Sequence, residues 1–192
     1  MFNRRNLLLG GFAALFAAPA IEAEAHHTGR KRRKFKLNPI YKPQRVRYRS
    51  KYKRGTVVVD PRNHFLYLIE GSGRARRYGV GVGKAGLAFQ GSATISRKAK
   101  WPRWTPTQNM IRREPHKYKR FAKGVPGGPR NPLGARALYL FRGGRDTFYR
   151  IHGTTQPSSI GRSVSNGCIR MINEHVIDLY NRVPIGARVV VL

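Results

Sequence analysis

"GTVVVDPRNHFLYLIE", residues 55–70, decides the fold class. Two runs of β-branched, aliphatic and aromatic residues, Thr56–Val59 and His64–Ile69, flank Asp60-Pro61-Arg62-Asn63. Proline pre-sets a turn φ, and Asp and Asn side chains bond their own backbone in turns, so this composition predicts a β-hairpin. Further short runs of the same texture lie at Arg77–Val82, Ala93–Ser96, Ala137–Phe141, Thr147–Ile151 and Arg188–Leu192, with turn residues between them and no internal repeat. Seven strand candidates predict a mainly β fold, a sandwich or barrel-like domain over residues 55–192. A segment of about 138 residues suits a single hydrophobic core.

One short helix stands out near the C-terminus. Asn173 is the expected cap, Glu174 and Asp178 fall where the helix dipole favours acids, and Val176, Ile177, Tyr180 and Val183 form an apolar stripe that Pro184 and Gly186 end. His175, on this helix, reads as an ordinary surface or half-buried residue. Between Arg97 and Leu133 lie six prolines, Trp101, Trp104, Tyr118 and Phe121 without clear periodicity. Such a long connection is either an ordered flap over a cleft or a mobile insertion. Its aromatics favour the flap, and Arg112, Arg113, Lys117, Lys119, Arg120 and Lys123 favour an anionic ligand.

Outward of the domain, the N-terminus carries an export pattern. Arg4 and Arg5 precede an apolar run from Leu7 to Ala20, and Ala23-Glu24-Ala25 offers a small-x-small cleavage site, so residues 1–25 read as a signal peptide. An uncleaved anchor is the competing reading, although the run is short for a membrane span. The paired arginines suit twin-arginine export and the ordinary secretory route alike. The expected location is outside the cytoplasm, in the periplasm or cell envelope.

Residues 26–54 read as a basic, disordered arm: Arg30–Arg54 holds 13 Lys or Arg and no acid, with Pro39 and Pro43 against helix and Tyr41, Tyr48 and Tyr52 interspersed. The whole chain has a net charge of +31. In the cytoplasm this would suggest nucleic acid, bound through counterion release and base stacking. Export turns the expectation toward anionic envelope polymers, held through residues 30–54, and away from a specific nucleic acid; a solvated linker is the plain alternative.

Two apparent sites dissolve on inspection. Gly81-Val82-Gly83-Lys84-Ala85-Gly86 fits G-x-G-x-x-G, but a β-like run follows where a helix is required, and no acid appears before Glu114, so the glycines are expected to shape bends or bulges in strands. The six histidines are scattered, and His26 and His27 at the N-terminus lack companions, so no metal is expected. No cofactor is expected either.

The chemistry concentrates in "IHGTTQPSSIGRSVSNGCIRM", residues 151–171, where His152 precedes Cys168, the chain's only cysteine, by 16 positions. A free thiol near its ordinary pKa is little ionised at neutral pH; an imidazole, a nearby arginine and a helix start shift it toward the nucleophilic thiolate. Arg170 and the helix after Asn173 are placed to do so. Gly167 leaves room for a substrate carbonyl, and the amides of Gly167 and Cys168 are candidate oxyanion donors. A buried structural cysteine is the competing reading, disfavoured by the polar and glycine neighbours.

These residues carry a resemblance. "IHGT", then "SIG" and "S-x-GCIRM", closely resemble the signature of the L,D-transpeptidases with a YkuD-type catalytic domain, and "VVVDPRNHFLYL", "YGVGVGK", "NPLGARALYL" and "VIDLY" extend the likeness over about residues 55–192. The resemblance implies a β-rich fold and peptidoglycan stem peptides as substrates. It implies that Cys168 attacks the carbonyl before the terminal D-alanine of a tetrapeptide stem, and that His152 serves as general acid and base. The acyl group would then pass to another stem's amine as a 3→3 cross-link, to an envelope protein's amine, or to water as an L,D-carboxypeptidase. Ser165 and Arg170 match the motif and are expected to orient the site, and Gly153 to fix the imidazole tautomer through its carbonyl. The sequence departs from the commonest pattern at Asn166, where a second histidine is usual; an amide cannot act as a base but can hold a loop or a substrate by hydrogen bonds. The rival reading from another class is a noncatalytic wall- or polyanion-binding envelope protein. A papain-like protease is disfavoured, because there the cysteine precedes the histidine.

Overall fold

In the computed structural model, which describes residues 35–85 and 87–192, residues 55–70 form the hairpin their composition predicts. Strands β2 (Val57–Asp60) and β3 (Phe65–Gly71) pair antiparallel, and the Asp60 carboxylate closes the turn by accepting the backbone N–H groups of Arg62 and Asn63, each at 3.1 Å. Val57, Val58 and Val59 are all buried, so this strand is covered on both faces.

Around the hairpin the remaining strands assemble in order. They are β1 (Gln44–Arg47), β4 (Arg74–Gly79), β5 (Val82–Gly83), β6 (Gly91–Lys100), β7 (Arg136–Arg142), β8 (Arg145–His152), β9 (Ser163–Ser165), β10 (Ile169–Arg170) and β11 (Arg188–Val191). Among the described residues nine form one mixed sheet, β1-β4-β3-β2-β11-β6-β7-β8-β10, and β5 with β9 forms a small second one. The sheet curls toward closure: Gly81, just past the second strand β4, exchanges backbone hydrogen bonds with Arg170 on the end strand β10 at 2.9 and 2.7 Å. The mainly β, barrel-like expectation is met. All seven strand candidates are present, while β1, β9 and β10 were not anticipated, and the Arg77–Val82 candidate divides into β4 and the start of β5.

The helix α3 (Asn173–Arg182) packs Val176 and Leu179, and Val183 just past its end, into the main core beside Leu138, Leu140, Ile151 and Met171. It is tied down at two points. Asp178 accepts from Tyr78 Oη at 2.7 Å and from Arg76 Nε at 2.8 Å on β4, and Lys98 Nζ on β6 donates to the carbonyls of Tyr180 and Val183 at 2.6 and 2.7 Å, where the helix C-terminus favours a cation. Asn173 does not cap this helix. It occupies the first helical position after Ile172, and its side-chain carbonyl accepts the Ala135 N–H at 3.0 Å instead, joining the helix start to β7.

The expected disordered arm needs correction over residues 35–54. Pro39–Tyr41 forms a short 3-10 turn, and β1 adds to the sheet edge antiparallel to β4, with Gln44 opposite Arg77 and Arg47 opposite Arg74. The interspersed tyrosines are the reason. Tyr48 stacks on Tyr67 with centroids 4.4 Å apart, and Tyr48, Tyr52 and Tyr67 cover Val58, Ile69 and Ala75 on the sheet face away from α3. Apolar cover on that face outweighs the self-repulsion of the charges between the rings. The expected signal peptide, the His26-His27 pair and the arm up to residue 34 lie outside the described residues.

Candidate active site

Short parallel pairing of β8 with β10 builds the site. Ile169 lies opposite Ile151 and Arg170 opposite His152. Because strand side chains alternate between faces, the two isoleucines enter the core, where both are buried, while His152 and Arg170 face a cleft of about 930 Å³. Cys168, two residues before Arg170, lines the same cleft. Sequence positions 16 apart thus become neighbours through a strand register.

The imidazole of His152 is fixed in one tautomer. Its Nδ1 lies 2.5 Å from the Gly153 carbonyl, and a carbonyl oxygen only accepts, so Nδ1 carries the proton and Nε2 keeps a lone pair. Burial holds the His152 pKa down at about 4, assisted by the positive charges of Arg170 and Arg150 and opposed by the carbonyls of Gly153 and Leu133. Burial likewise pushes the Cys168 thiol up from its ordinary value, against the opposing influence of Arg150 and Arg170. The expected resting thiolate therefore needs correction. Desolvation outweighs both arginines, raising the thiol pKa and lowering that of the imidazole, which favours neutral thiol and neutral imidazole at rest.

The loop before the cysteine is braced by its own side chains. Ser165 Oγ donates to the Cys168 carbonyl at 2.6 Å and accepts the Gly167 N–H at 3.1 Å. The Gly167 amide is therefore committed within the loop, unlike the oxyanion role expected of it. Gly167 has φ +119°, and a Cβ there would lie 2.4 Å from both the Leu87 carbonyl oxygen and Tyr149 Cε1. Its missing side chain makes room for the protein's own backbone and a tyrosine ring rather than for substrate. The G-x-G-x-x-G pattern has a similar origin: a Cβ on Gly83 would lie 2.8 Å from Gly167 Cα, so strand β5 passes directly against the cysteine loop.

Across the cleft, residues 101–133 form an ordered flap. Within it lie α1 (Gln108–Arg113), capped by Thr107 Oγ1 accepting from Met110 N at 3.2 Å, and α2 (Pro115–Tyr118). Trp104 packs edge-on against Tyr118 and Phe121, with centroids 6.3 and 5.8 Å away. Asn131, 1 % exposed, holds the flap's base by donating to the carbonyls of Val125 and Pro126 at 2.9 Å each. Asn166 reaches the flap directly: its Nδ2 donates to Tyr118 Oη at 2.7 Å. Of the six flap cations expected to favour an anionic ligand, Arg113, Lys117 and Arg120 line the cleft.

Sequence reasoning did not single out Asp146, Phe148 or Arg150. Strand β8 bulges there: Arg150 lies opposite Tyr139 and Asp146 opposite Phe141. Arg150 forks onto the Asp146 carboxylate at 2.8 and 2.9 Å, Asp146 accepts the Phe148 N–H at 2.8 Å, and Phe148 sits at φ +61° with its carbonyl 3.9 Å from Cys168 Sγ. The only sequence signal is an Asp-to-Arg spacing of four residues, which reads as a helical pair as readily as a bulge.

Residues 54–191 match the family model described as the L,D-transpeptidase catalytic domain, YkuD. The chain is similar to the probable L,D-transpeptidase ErfK/SrfK of Escherichia coli strain K12, with 34% identity over 152 residues, 78% of this chain and 47% of that protein. It thus spans about half the length of the curated relatives it matches. Among solved structures, one from Brucella melitensis described as a probable carnitine operon oxidoreductase caia is 60% identical, covering 81% of this chain and 96% of that one with a TM-score of 0.56. An L,D-transpeptidase from Mycobacterium smegmatis shares the fold, with 17% identity, coverage of 71% and 58%, and a TM-score of 0.51.

Proposed function

The chain belongs to the L,D-transpeptidase family with a YkuD catalytic domain, and on that premise we propose that it cleaves the terminal D-alanine from a peptidoglycan tetrapeptide stem through a Cys168 thioester. One observation carries the reading. The β8–β10 register brings His152 and Cys168 to one cleft, with Nδ1 of the imidazole bound to Gly153 and Nε2 left to take a proton.

Each step follows from the neutral pair. As the thiol closes on the carbonyl carbon, its proton passes to His152 Nε2 and the C–S bond forms; a neutral resting pair makes this a concerted base-assisted attack. With the Gly167 amide engaged by Ser165, the developing oxyanion falls to the Cys168 amide, the other donor of the pair. Collapse breaks the C–N bond, and the imidazolium returns the proton to the departing amine. An incoming amine then loses a proton to His152 as it attacks the thioester, and the C–S bond breaks as the imidazolium returns that proton to the sulfur, restoring the neutral pair. A stem amine makes a 3→3 cross-link, and an envelope protein's amine attaches that protein to the wall. Asn166 acts here through Tyr118, holding the flap over the acyl group rather than moving protons.

Among the described residues, Gly83 lies in strand β5 and Gly81 beside it, packed on the cysteine loop and on Ser159, where a nucleotide-binding loop would instead lead into a helix. Export to the envelope, and a tether to its anionic polymers through residues 30–54, complete the reading; the exposed cations of β1 and its flanks are the described part of that surface. The test is incubation of the full chain with disaccharide-tetrapeptide at physiological salt, with mass spectrometry for D-alanine and cross-linked dimer. Dimer from the wild type and none from Cys168→Ala supports the reading. D-Alanine without dimer moves it to carboxypeptidation, and polyanion binding without turnover moves it to a noncatalytic envelope protein.

A further inference from the structure

A second recess, of about 330 Å³, opens beside the edge strand β1, where Arg45, Arg54, Arg74 and Arg182 line it against one carboxylate, Glu70. Strand register explains the gathering. Arg45 lies opposite Arg76 and Arg47 opposite Arg74 across β1 and β4, so alternation puts all four on one face of the sheet. Arg76 reaches Asp178 on α3, which marks this as the helix face, and Arg182, one helical turn beyond Asp178, joins it there. Arg54 arrives from the chain before β2: a Cβ on Gly71 would lie 3.9 Å from its Cβ and Cδ, so its stem runs along the β3–β4 turn. In both ion pairs the carboxylate meets Nε, Arg45 with Glu70 at 3.1 Å and Arg182 with Asp178 at 2.8 Å. Among the described residues, the Nη groups of these two arginines, and the whole guanidinium groups of Arg54 and Arg74, donate to no acceptor. Four arginines against one glutamate leave the recess a surplus of three positive charges, whose mutual repulsion an anion would relieve.

We propose that this recess binds a phosphate group and is the point at which the basic segment fastens the protein to anionic envelope material. This rests on the reading of residues 30–54 as a tether, and it replaces a diffuse attraction with one built site; it does not depend on acyl transfer at Cys168. A carboxylate offers two oxygens in one plane and fills one guanidinium fork. A phosphate carries up to two charges on three oxygens set tetrahedrally, so it can meet forks from several sides, as arginines from β1, β4, α3 and the chain before β2 provide them. Among the described residues, the recess shares none with the catalytic cleft. Arg74 starts β4, whereas Gly81, past the other end of that strand, is bonded to Arg170; seven steps of extended chain at about 3.3 Å each separate the two by roughly 20 Å. A phosphate held at Arg74 therefore leaves the cleft open to stem peptides. A lipid headgroup and a free phosphate present the same chemistry, and the probes below separate them.

The experiment titrates the full chain at physiological salt with inorganic phosphate, with acetate, and with phosphatidylcholine vesicles that contain or lack phosphatidic acid, the plain vesicles setting the baseline. Arg54→Gln/Arg74→Gln is compared with Lys51→Gln/Lys53→Gln, which removes the same charge from exposed positions of the neighbouring chain. Charge alone is screened over about 8 Å at that ionic strength, so the two double variants separate a site from a field. The arginine pair should weaken phosphate binding by about 10- to 100-fold, the range for hydrogen bonds to a charged group, and the lysine pair by about twofold or less. Arg74→Lys, which keeps the charge and loses the fork, should fall between them, and it decides if the arginine double variant does not fold. This contrast with inorganic phosphate supports the site and assigns it a free phosphate; the same contrast with phosphatidic acid vesicles alone supports it and assigns a lipid headgroup. Acetate bound as tightly as phosphate overturns the proposal. So do equal losses in the two double variants, which would leave a diffuse tether without a site, and binding to none of these anions, which would remove the tether as well.

Discussion

Changing Tyr118 to Phe removes one hydroxyl and leaves the ring that packs against Trp104. That hydroxyl accepts from Asn166 Nδ2 at 2.7 Å and is the side-chain link between the flap and the cysteine loop. A neutral hydrogen bond of this kind is worth about 1 kcal/mol net, and leaving the half-buried amide unpaired raises the loss toward 2 kcal/mol. The closed flap should therefore lose about 5- to 30-fold in population relative to open states. Hydrogen exchange across residues 107–121 reads this directly: protection should fall by that factor while α3 and the central strands are unchanged. Asn166→Ala should produce the same loss, and the double variant little more, giving a coupling of about 1 kcal/mol in a double-mutant cycle. Additive effects, or exchange in the flap that ignores both substitutions, would refute the idea that the amide at position 166 serves as a latch.

Other perturbations test other parts of the account. Gly167→Ala meets both a positive φ and contacts of 2.4 Å with a backbone oxygen and the Tyr149 ring, so it should cost about 2–4 kcal/mol in denaturant unfolding and slow Cys168 labelling; an unchanged midpoint would contradict the close approach. Asp178→Ala removes the acceptor shared by Tyr78, Arg76 and Arg182, with a loss of roughly 2–3 kcal/mol. Burial opposes the charged Asp178, but hydrogen bonds from Tyr78, Arg182 and Arg76 outweigh it and hold its pKa below the ordinary 3.8; its contribution is present above that value and is lost as pH falls through the folded-state pKa. His152 acts over a different window. It stays neutral in the folded chain down to about 4 but takes a proton in the unfolded chain below 6.5, so stability should fall as pH drops between those values, and less so in His152→Gln. Over that window the rate of Cys168 alkylation should show no thiolate plateau, and it should still be rising at pH 9; a plateau near neutrality would restore the resting thiolate.

The parts of this molecule legible from its sequence are those with long-period patterns or specific chemistry. The Asp60 hairpin, the longer strands and α3 follow from alternation, turn residues and an apolar stripe, and Cys168 and His152, singled out by nucleophile chemistry and a specific motif, line one cleft. Strands β9 and β10 have three and two residues, too short for any period, although β10 positions the histidine against the arginine. The edge strand β1 was hidden by its charges, since the tyrosines that secure it cover a patch formed by distant strands. Asn173 resembled a cap because its tertiary acceptor role to Ala135 leaves no local trace. The protonation state of the site was misjudged for a related reason. Arg170 and the helix start are visible in sequence, whereas the burial that outweighs them is a property of the folded cleft.

The most direct test of the central claim is intact-protein mass spectrometry of the full chain quenched within seconds of mixing with tetrapeptide donor. The account predicts a mass increase equal to the donor less D-alanine and water, located on Cys168 by digestion, labile to hydroxylamine and absent from Cys168→Ala. Cross-link formation that survives Cys168→Ala, or an adduct on another residue, would contradict it.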